Sequence, residues 1–177
     1  MNEAASVFLR ADIRREDGYR LAKWMRNRNV TRYLNEKGDI SDELVSLIER
    51  TPEGMLSYHL NQAGRFYLVC GGKGEAIGFI RLKPGAEQSC EIVYVVGEEP
   101  LWGRGYGRHA LELALAKAFF EMRRESVVAR IKKGNTRSTR TAVHCGMRLT
   151  HNGETMQEYK ITAQEYLARK TGKLQRG

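Results

Sequence analysis

One segment limits the possible folds more than any other. Ile92-Val93-Tyr94-Val95-Val96 is a β-branched run, Gly103-Arg104-Gly105-Tyr106-Gly107 sets glycines at alternate positions, and Leu111, Leu113, Ala114, Leu115, Ala118, Phe119 and Met122 follow among few charges. A strand apolar on both faces, a glycine loop and an apolar helix open a β-α-β unit, which requires a parallel strand pair. Val127-Val128-Ala129-Arg130-Ile131 supplies the second strand. Upstream the pattern is antiparallel. Phe66–Cys70 and Ala76–Leu82 flank Gly71-Gly72-Lys73-Gly74 as a hairpin, Pro84-Gly85 ends its second strand, and a third strand runs from Glu87 to Val96. Val7–Ala11 reads as a short strand and Arg14–Asn27 as a helix; Ser41 or Asp42 caps a helix containing Leu44, Leu47 and Ile48. Downstream, Thr136–Cys145 is a short helix with Gly146 as its C′ residue. Met147–Thr150 and Met156–Thr162 form a hairpin turning at Asn152-Gly153, and Ala163–Lys170 is a last helix. The expectation is one α/β (α+β) domain over residues 1–177, with a mixed, mostly antiparallel sheet.

Charge narrows the partners. Thirty Lys and Arg against 21 Asp and Glu leave a formal net charge of +9, which suits nucleic acid, an anionic surface, an acidic protein or a phosphate-rich small molecule. No apolar run approaches the roughly 20 residues that span a bilayer, and Met1-Asn2-Glu3 is no basic leader. A cytoplasmic protein without a membrane partner is expected. Cys70, Cys90 and Cys145 are far apart, so buried free thiols are expected and no metal site is.

The glycine loop carries the chemistry. Without Cβ atoms in the way, phosphate oxygens can approach main-chain N–H groups, and the N-terminus of the following helix adds partial positive charge. Arg104, Arg108 and His109 can add side-chain donors. A P-loop would need Gly-Lys followed by Ser or Thr, which is absent. A dinucleotide fingerprint would need Gly-x-Gly-x-x-Gly, and the following strand offers Arg130 and Lys132 where a ribose-binding acid belongs.

Tyr94-Val95-Val96, Trp102-Gly103-Arg104-Gly105-Tyr106-Gly107, Asn135-Thr136-Arg137-Ser138 and Cys145-Gly146-Met147 together resemble the GNAT N-acetyltransferases. Within them the likeness is to the branch of ribosomal-protein N-terminal and spermidine acetyltransferases. It is specific from Glu91 to Met147, and Trp102 stands where the family signature has Gln or Arg. The resemblance implies acetyl-CoA as co-substrate, without a metal, in a cleft where two parallel strands splay apart, with helices on both faces of the sheet. The cofactor core would span about 87–150, the acceptor-side helices about 14–60, and the basic tail 170–177. It further implies that Val95 and Val96 offer main-chain groups to the pantetheine arm, that Trp102, Gly103, Arg104, Gly105, Tyr106, Gly107 and Arg108 surround the pyrophosphate, and that Asn135 and Ser138 meet the pantetheine and the sulfur. Lys132, Lys133, Arg137 and Arg140 would face the adenosine phosphates or simply solvent.

Acetyl transfer to an amine needs a base, donors for the oxyanion and a proton for the thiolate. By the resemblance, Glu91 is the base; a salt-bridged strand residue is the equal alternative. Ser138 is the candidate to stabilise the thiolate, against an ordinary role in the helix's first turn. Ala142 stands where many relatives carry a tyrosine acid. Three functions follow: an N-acetyltransferase acting on a primary amine of a small molecule or protein N-terminus, a non-catalytic acyl-CoA-binding protein of the same fold, or a basic ribosome- or RNA-associated module. The last has only diffuse charge behind it, so nucleic acid is not the expected partner. A monomer and a homodimer are both compatible with exposed strand edges. Asp39, Asp42 and Glu43 are candidates for an anionic acceptor pocket.

Overall fold

The computed structural model describes residues 6–34 and 40–174. Seven strands form one sheet: β1 (Phe8–Arg10), β2 (Arg65–Cys70), β3 (Ala76–Pro84), β4 (Ser89–Val96), β5 (Ser126–Lys132), β6 (Arg148–Asn152) and β7 (Met156–Thr162), in the order β1-β2-β3-β4-β5-β7-β6. Only β4 and β5 run parallel. Between them lies α5 (Tyr106–Ala116), continued by a π-turn over Lys117–Glu121, so the glycine-loop segment does open a crossover unit. The remaining helices are α1 (Arg15–Arg26), α2 (Arg28–Thr31), α3 (Ser41–Arg50), α4 (Glu53–Leu60), α6 (Thr136–His144) and α7 (Ala163–Leu174).

Alternation along each strand divides the side chains between two cores. On one face Ile92 of β4 and Val127, Ala129 and Ile131 of β5 pack with Leu111, Ala114 and Leu115 of α5 and Ala142 of α6. On the other, Phe66, Leu68, Phe79 and Val95 pack with Leu21, Trp24 and Met25 of α1, Ile48 of α3 and Leu56 of α4. Helices thus cover both faces. All three cysteines are buried and unpaired.

Several boundaries differ from the sequence reading, each for a local reason. β4 begins at Ser89 because Glu87 and Gln88 hold φ of 50° and 54°, the left-handed region, which no strand accommodates. Ile40, rather than Ser41 or Asp42, is the N-cap of α3. Ser41 is instead fully buried, its hydroxyl accepting from Arg26 Nε at 3.2 Å. The last hairpin keeps Asn152 in β6 and turns over residues 153–155. The sequence reading assigned no helix to α4 because its apolar residues do not gather on one face: Met55 and Tyr58 are exposed and only Leu56 is buried. No described helix is long and apolar enough to cross a membrane.

Candidate active site

β4 and β5 pair over three residues only: Ser89, Cys90 and Glu91 lie beside Ser126, Val127 and Val128. Beyond Glu91 the strands diverge, while β4 keeps its full register with β3 through Gly78 and Val96. The Gly97 N–H donates to Ile77 O at 2.8 Å. Because main-chain groups of successive residues point to opposite edges of a strand, those of Ile92, Tyr94 and Val96 then face the opening toward β5. Those of Val95 face β3. Val95 therefore reaches the site by its side chain alone, a correction to the expectation that it would offer main-chain groups.

A cavity of about 520 Å³ fills the divergence and touches both faces of the sheet. At one end it is lined by Trp102, Gly103, Gly105, Tyr106, Gly107 and Arg108. Gly103 and Gly105 have φ of +75° and +89°, and a Cβ at either would meet nothing within 4 Å. Gly105 is also the N-cap of α5. The loop thus combines left-handed backbone, open space over the main chain and a helix N-terminus, the requirements of an anion cradle. Arg104 is exposed and is not part of the cavity wall. Nor is Lys132, whose ammonium donates to the Leu34 carbonyl, or Lys133.

Trp102 has a defined task. Its indole N–H donates to Val96 O at 2.7 Å, and the Arg137 guanidinium lies 3.5 Å above its ring centre. A planar cation over an indole face is favourable, so loop, strand and α6 are joined across the opening. Asn135 is the N-cap of α6, its side chain accepting from Ser138 N at 3.2 Å. Ser138 lines the cavity in the first turn of that helix. The Tyr94 hydroxyl crosses the gap and donates to Ser138 O at 2.8 Å; burial pushes its pKa well above the ordinary phenol value. Ala142 is fully buried on the core side.

His144, in the last turn of α6, is exposed and shares a 2.8 Å hydrogen bond with Arg108. Cys145 after it is fully buried, and burial raises its thiol to about 12, an inert side chain.

The other end of the cavity lies on the α1–α4 face near the vertex where β4 and β5 meet. Glu91, Arg81, Lys83 and Arg130 line it beside Phe66, Phe79 and Met25. Glu91 is ion-paired with Arg130, which also approaches Glu158 at 3.4 Å. The salt-bridge alternative for Glu91 is thus realised, and the carboxylate still forms part of the wall. Arg81 lies over the Phe66 ring at 5.4 Å.

Sequence reasoning passed over Arg81 and Lys83, and saw in Arg130 only a departure from a dinucleotide fold. The signal was present: Ile77-Gly78-Phe79-Ile80-Arg81-Leu82 interrupts an apolar strand with one arginine. It also passed over Glu98 and Glu99, which receive hydrogen bonds from Trp24 Nε1 (3.0 Å) and from Asn27 and Asn29 (2.6 and 3.0 Å), tying α1 and α2 to the exit of β4. Of the expected anionic pocket, Asp39 lies outside the described residues and Asp42 is engaged with Arg26 at 2.6 Å. Neither Asp42 nor Glu43 lines the cavity. Among the described residues no group of three or more His, Cys, Asp or Glu is arranged to hold a metal ion.

The architecture has close counterparts among solved structures. Spermidine N-acetyltransferase from Vibrio cholerae, in complex with CoA and spermine, superposes with a TM-score of 0.74 at 20% identity, covering 91% of this chain and 98% of that one. A domain from Methanocaldococcus jannaschii gives 0.70 at 20% identity, covering 89% and 99%. An acetyltransferase (GNAT family) from Bacillus anthracis gives 0.69 at 21% identity, covering 90% and 96%. At such identities the likeness is one of fold. No curated protein matches the chain significantly in sequence. Residues 7–148 match the acetyltransferase (GNAT) domain, a stretch that takes in the glycine loop, both diverging strands and α6. The chain therefore belongs to the GNAT acetyltransferase family and is, as such, an acetyl-CoA-dependent N-acetyltransferase.

Proposed function

We propose that the cavity holds acetyl-CoA from the glycine loop to the vertex and that an amine enters from the α1–α4 face to meet it beside Glu91. The observation that carries this is one continuous cavity, with the glycine loop at a helix N-terminus at one end, where no acid lines it among the described residues, and a carboxylate at the other. The open edge of β4, the main-chain groups of Tyr94 and the N–H of Val96 beside the carbonyl that Trp102 already holds, would pair with the amide-bearing pantetheine arm as a short added strand does. N–H groups of residues 103–107 would take the pyrophosphate, with Arg108, Arg137 and Arg140 supplying charge on the same side.

In the transfer the amine nitrogen bonds to the thioester carbon and the carbon–sulfur bond breaks. Glu91 accepts the amine proton, directly or through one water. The Ser138 hydroxyl donates to the departing thiolate, a role consistent with its place in the cavity wall beside the Tyr94 contact. A tyrosine acid is not needed for this step, because a thiolate is stable enough to leave with a hydrogen bond and be protonated from water. No covalent intermediate on the enzyme is involved, and Cys145 is too deeply buried to serve as one.

Within the family we place the chain in the branch of ribosomal-protein N-terminal and spermidine acetyltransferases, on its Trp102-Gly103-Arg104-Gly105-Tyr106-Gly107 loop and its likeness in fold to the Vibrio cholerae enzyme. The acceptor is a primary amine. The test is a panel of amines (polyamines, amino acids, aminoglycosides and N-terminal peptides) incubated with acetyl-CoA and read by free thiol. Acceptor-dependent thiol release that Glu91→Gln abolishes is the expected result. Tight acetyl-CoA binding with no turnover on any amine would instead support a non-catalytic acyl-CoA-binding protein.

A further inference from the structure

From the contacts of Arg130, and resting on Glu91 as the base of the transfer proposed above, we infer that Glu158 is a positioning residue: by holding half of the Arg130 guanidinium it keeps one oxygen of the Glu91 carboxylate open to the acceptor amine. Arg130 lies between two acids. Its Nη1 donates to Glu91 Oε2, and its Nη2 stands 3.4 Å from Glu158 Oε2. Among the described residues no other hydrogen bond or ion pair reaches the Glu91 carboxylate, so Oε1 is the oxygen left to take a proton.

The register of the sheet makes this arrangement. Glu91 and Val128 are neighbours in the short parallel pairing, Arg130 follows Val128 on the same face, and Glu158 of β7 stands directly opposite Arg130. Val127, Ala129 and Ile131 belong to the α5 core, which leaves Arg130 on the Glu91 face of the sheet. Arg130 is thus past the point where β4 and β5 separate and reaches back across the vertex to Glu91. From the far side β6 holds Glu158, the Thr150 hydroxyl being shared between Glu158 Oε1 (3.2 Å) and the Glu158 carbonyl (3.3 Å). One line of contacts therefore runs from Thr150 through Glu158 and Arg130 to Glu91. Neither Thr150 nor Glu158 lines the cavity, so their influence on the transfer passes through Arg130.

A guanidinium beside one carboxylate settles into a bidentate fork that occupies both oxygens. Glu91 in such a fork would have no oxygen left for the amine proton. Glu158 draws the second nitrogen aside, and the guanidinium is divided between two acids. The other charged groups of this face do not take its place. Lys83 opposite Glu91, Lys160 opposite Val128 and His151 opposite Glu158 cannot fork, and Arg81, opposite Val93, lies over the Phe66 ring. Glu91, Arg130 and Glu158 are all partly exposed, and ion pairs of that kind contribute little to stability, so an effect of Glu158 on rate is separable from an effect on folding.

Glu158→Leu tests the inference in two ways. In a crystal structure of the variant, both Arg130 nitrogens are expected on Glu91. In thiol release from acetyl-CoA with the fastest amine of the panel described above, kcat/KM for the amine is expected to fall about tenfold, the size of one charge-assisted contact, with KM for acetyl-CoA and the melting temperature nearly unchanged. Arg130→Met removes the fork altogether, so Glu158→Leu should have no further effect in that background. Thr150→Val, on the exposed edge strand, should lower the rate by a smaller factor and keeps the test open if Glu158→Leu does not fold. An Arg130 that stays on one oxygen of Glu91, an unchanged rate in Glu158→Leu, or effects of Glu158→Leu and Arg130→Met that simply multiply overturns the inference. Glu91→Gln separates it from the reading on which it rests. If that variant keeps the full rate, or no amine releases thiol, Glu91 is not the base and both fall; if Glu91→Gln abolishes the rate and Glu158→Leu does not lower it, only the role of Glu158 falls.

Discussion

The two halves of β4 differ in what they are asked to do. Ser89–Glu91 is hydrogen-bonded on both sides, to β3 and to β5, and Cys90 there is wholly buried. Residues Ile92–Val96 keep β3 but lose β5, and Tyr94, Val95 and Val96 become cavity wall. A strand at the centre of a seven-stranded sheet would ordinarily satisfy both edges. Leaving one edge open for half its length is costly unless something pairs with it; here Trp102 bonds the Val96 carbonyl, while Tyr94 ties β4 to α6 through its side-chain hydroxyl and leaves its own main-chain groups facing the cavity. The closed half fixes where the cavity begins, and the open half forms part of its wall.

That contrast can be broken from either side. The largest effect is expected at the junction. Glu91→Gln should lower kcat by about 10²- to 10⁴-fold, the usual contribution of a general base, with acetyl-CoA affinity unchanged by calorimetry. If the rate holds, Glu91 is only the partner of Arg130. Ile161 of β7 is fully buried and lies opposite Val127 behind the closed half. Ile161→Ala should cost about 2–5 kcal/mol in denaturant unfolding while kcat of the folded fraction is kept, which would assign this region to stability alone.

The open half should behave in the opposite sense. Gly105→Val strains a backbone at φ +89° without striking any neighbour, so the expected result is acetyl-CoA binding weakened by about tenfold, with a modest fall in melting temperature. Tyr94→Phe removes one buried hydrogen bond and should cost about 1 kcal/mol of stability, accompanied by a rise in KM for acetyl-CoA as α6 loses its tie to β4.

The smallest effect concerns the back of the site, where α7 docks. Burial works against the Glu112 carboxylate, but hydrogen bonds from Arg169 (2.6 Å) and Lys170 (2.7 Å) and their charge outweigh it and hold its pKa below the ordinary value. The unfolded chain then binds the proton more readily than the folded one. The stabilisation is complete above the unfolded carboxylate pKa of about 4.3 and is lost as pH falls through the lower folded value. Unfolding midpoints measured from pH 6 to pH 3 should fall more steeply for the wild type than for Glu112→Gln.

Much of the fold was legible because its signals are local. The apolar runs Phe66–Cys70 and Ala76–Leu82 about their glycine turn, and the apolar helix after the second glycine loop, each act within a few residues of chain. The parallel pair followed from one rule about crossovers. The sequence reading of the loop likewise found Gly103, Gly105 and Gly107 in the cavity wall. It failed where a residue's task depends on what arrives from elsewhere. Arg104 has the right charge and the right neighbours in sequence yet stands outside the cavity wall, and Val95 has the right position with its main chain turned to β3.

The amino-acid order alone carried the crossover unit, the glycine loop at a helix N-terminus and the likeness to the family, since strand period, glycine conformation and helix termini are properties of contiguous chain. Folding in three dimensions set the character of the far end. Arg81, Lys83, Glu91 and Arg130 come from three strands and are neighbours only because register pairs Lys83 with Glu91 and divergence beyond Glu91 opens the wall beside Arg130. Charge at that end is a sum over strands, and no single stretch of sequence contains it.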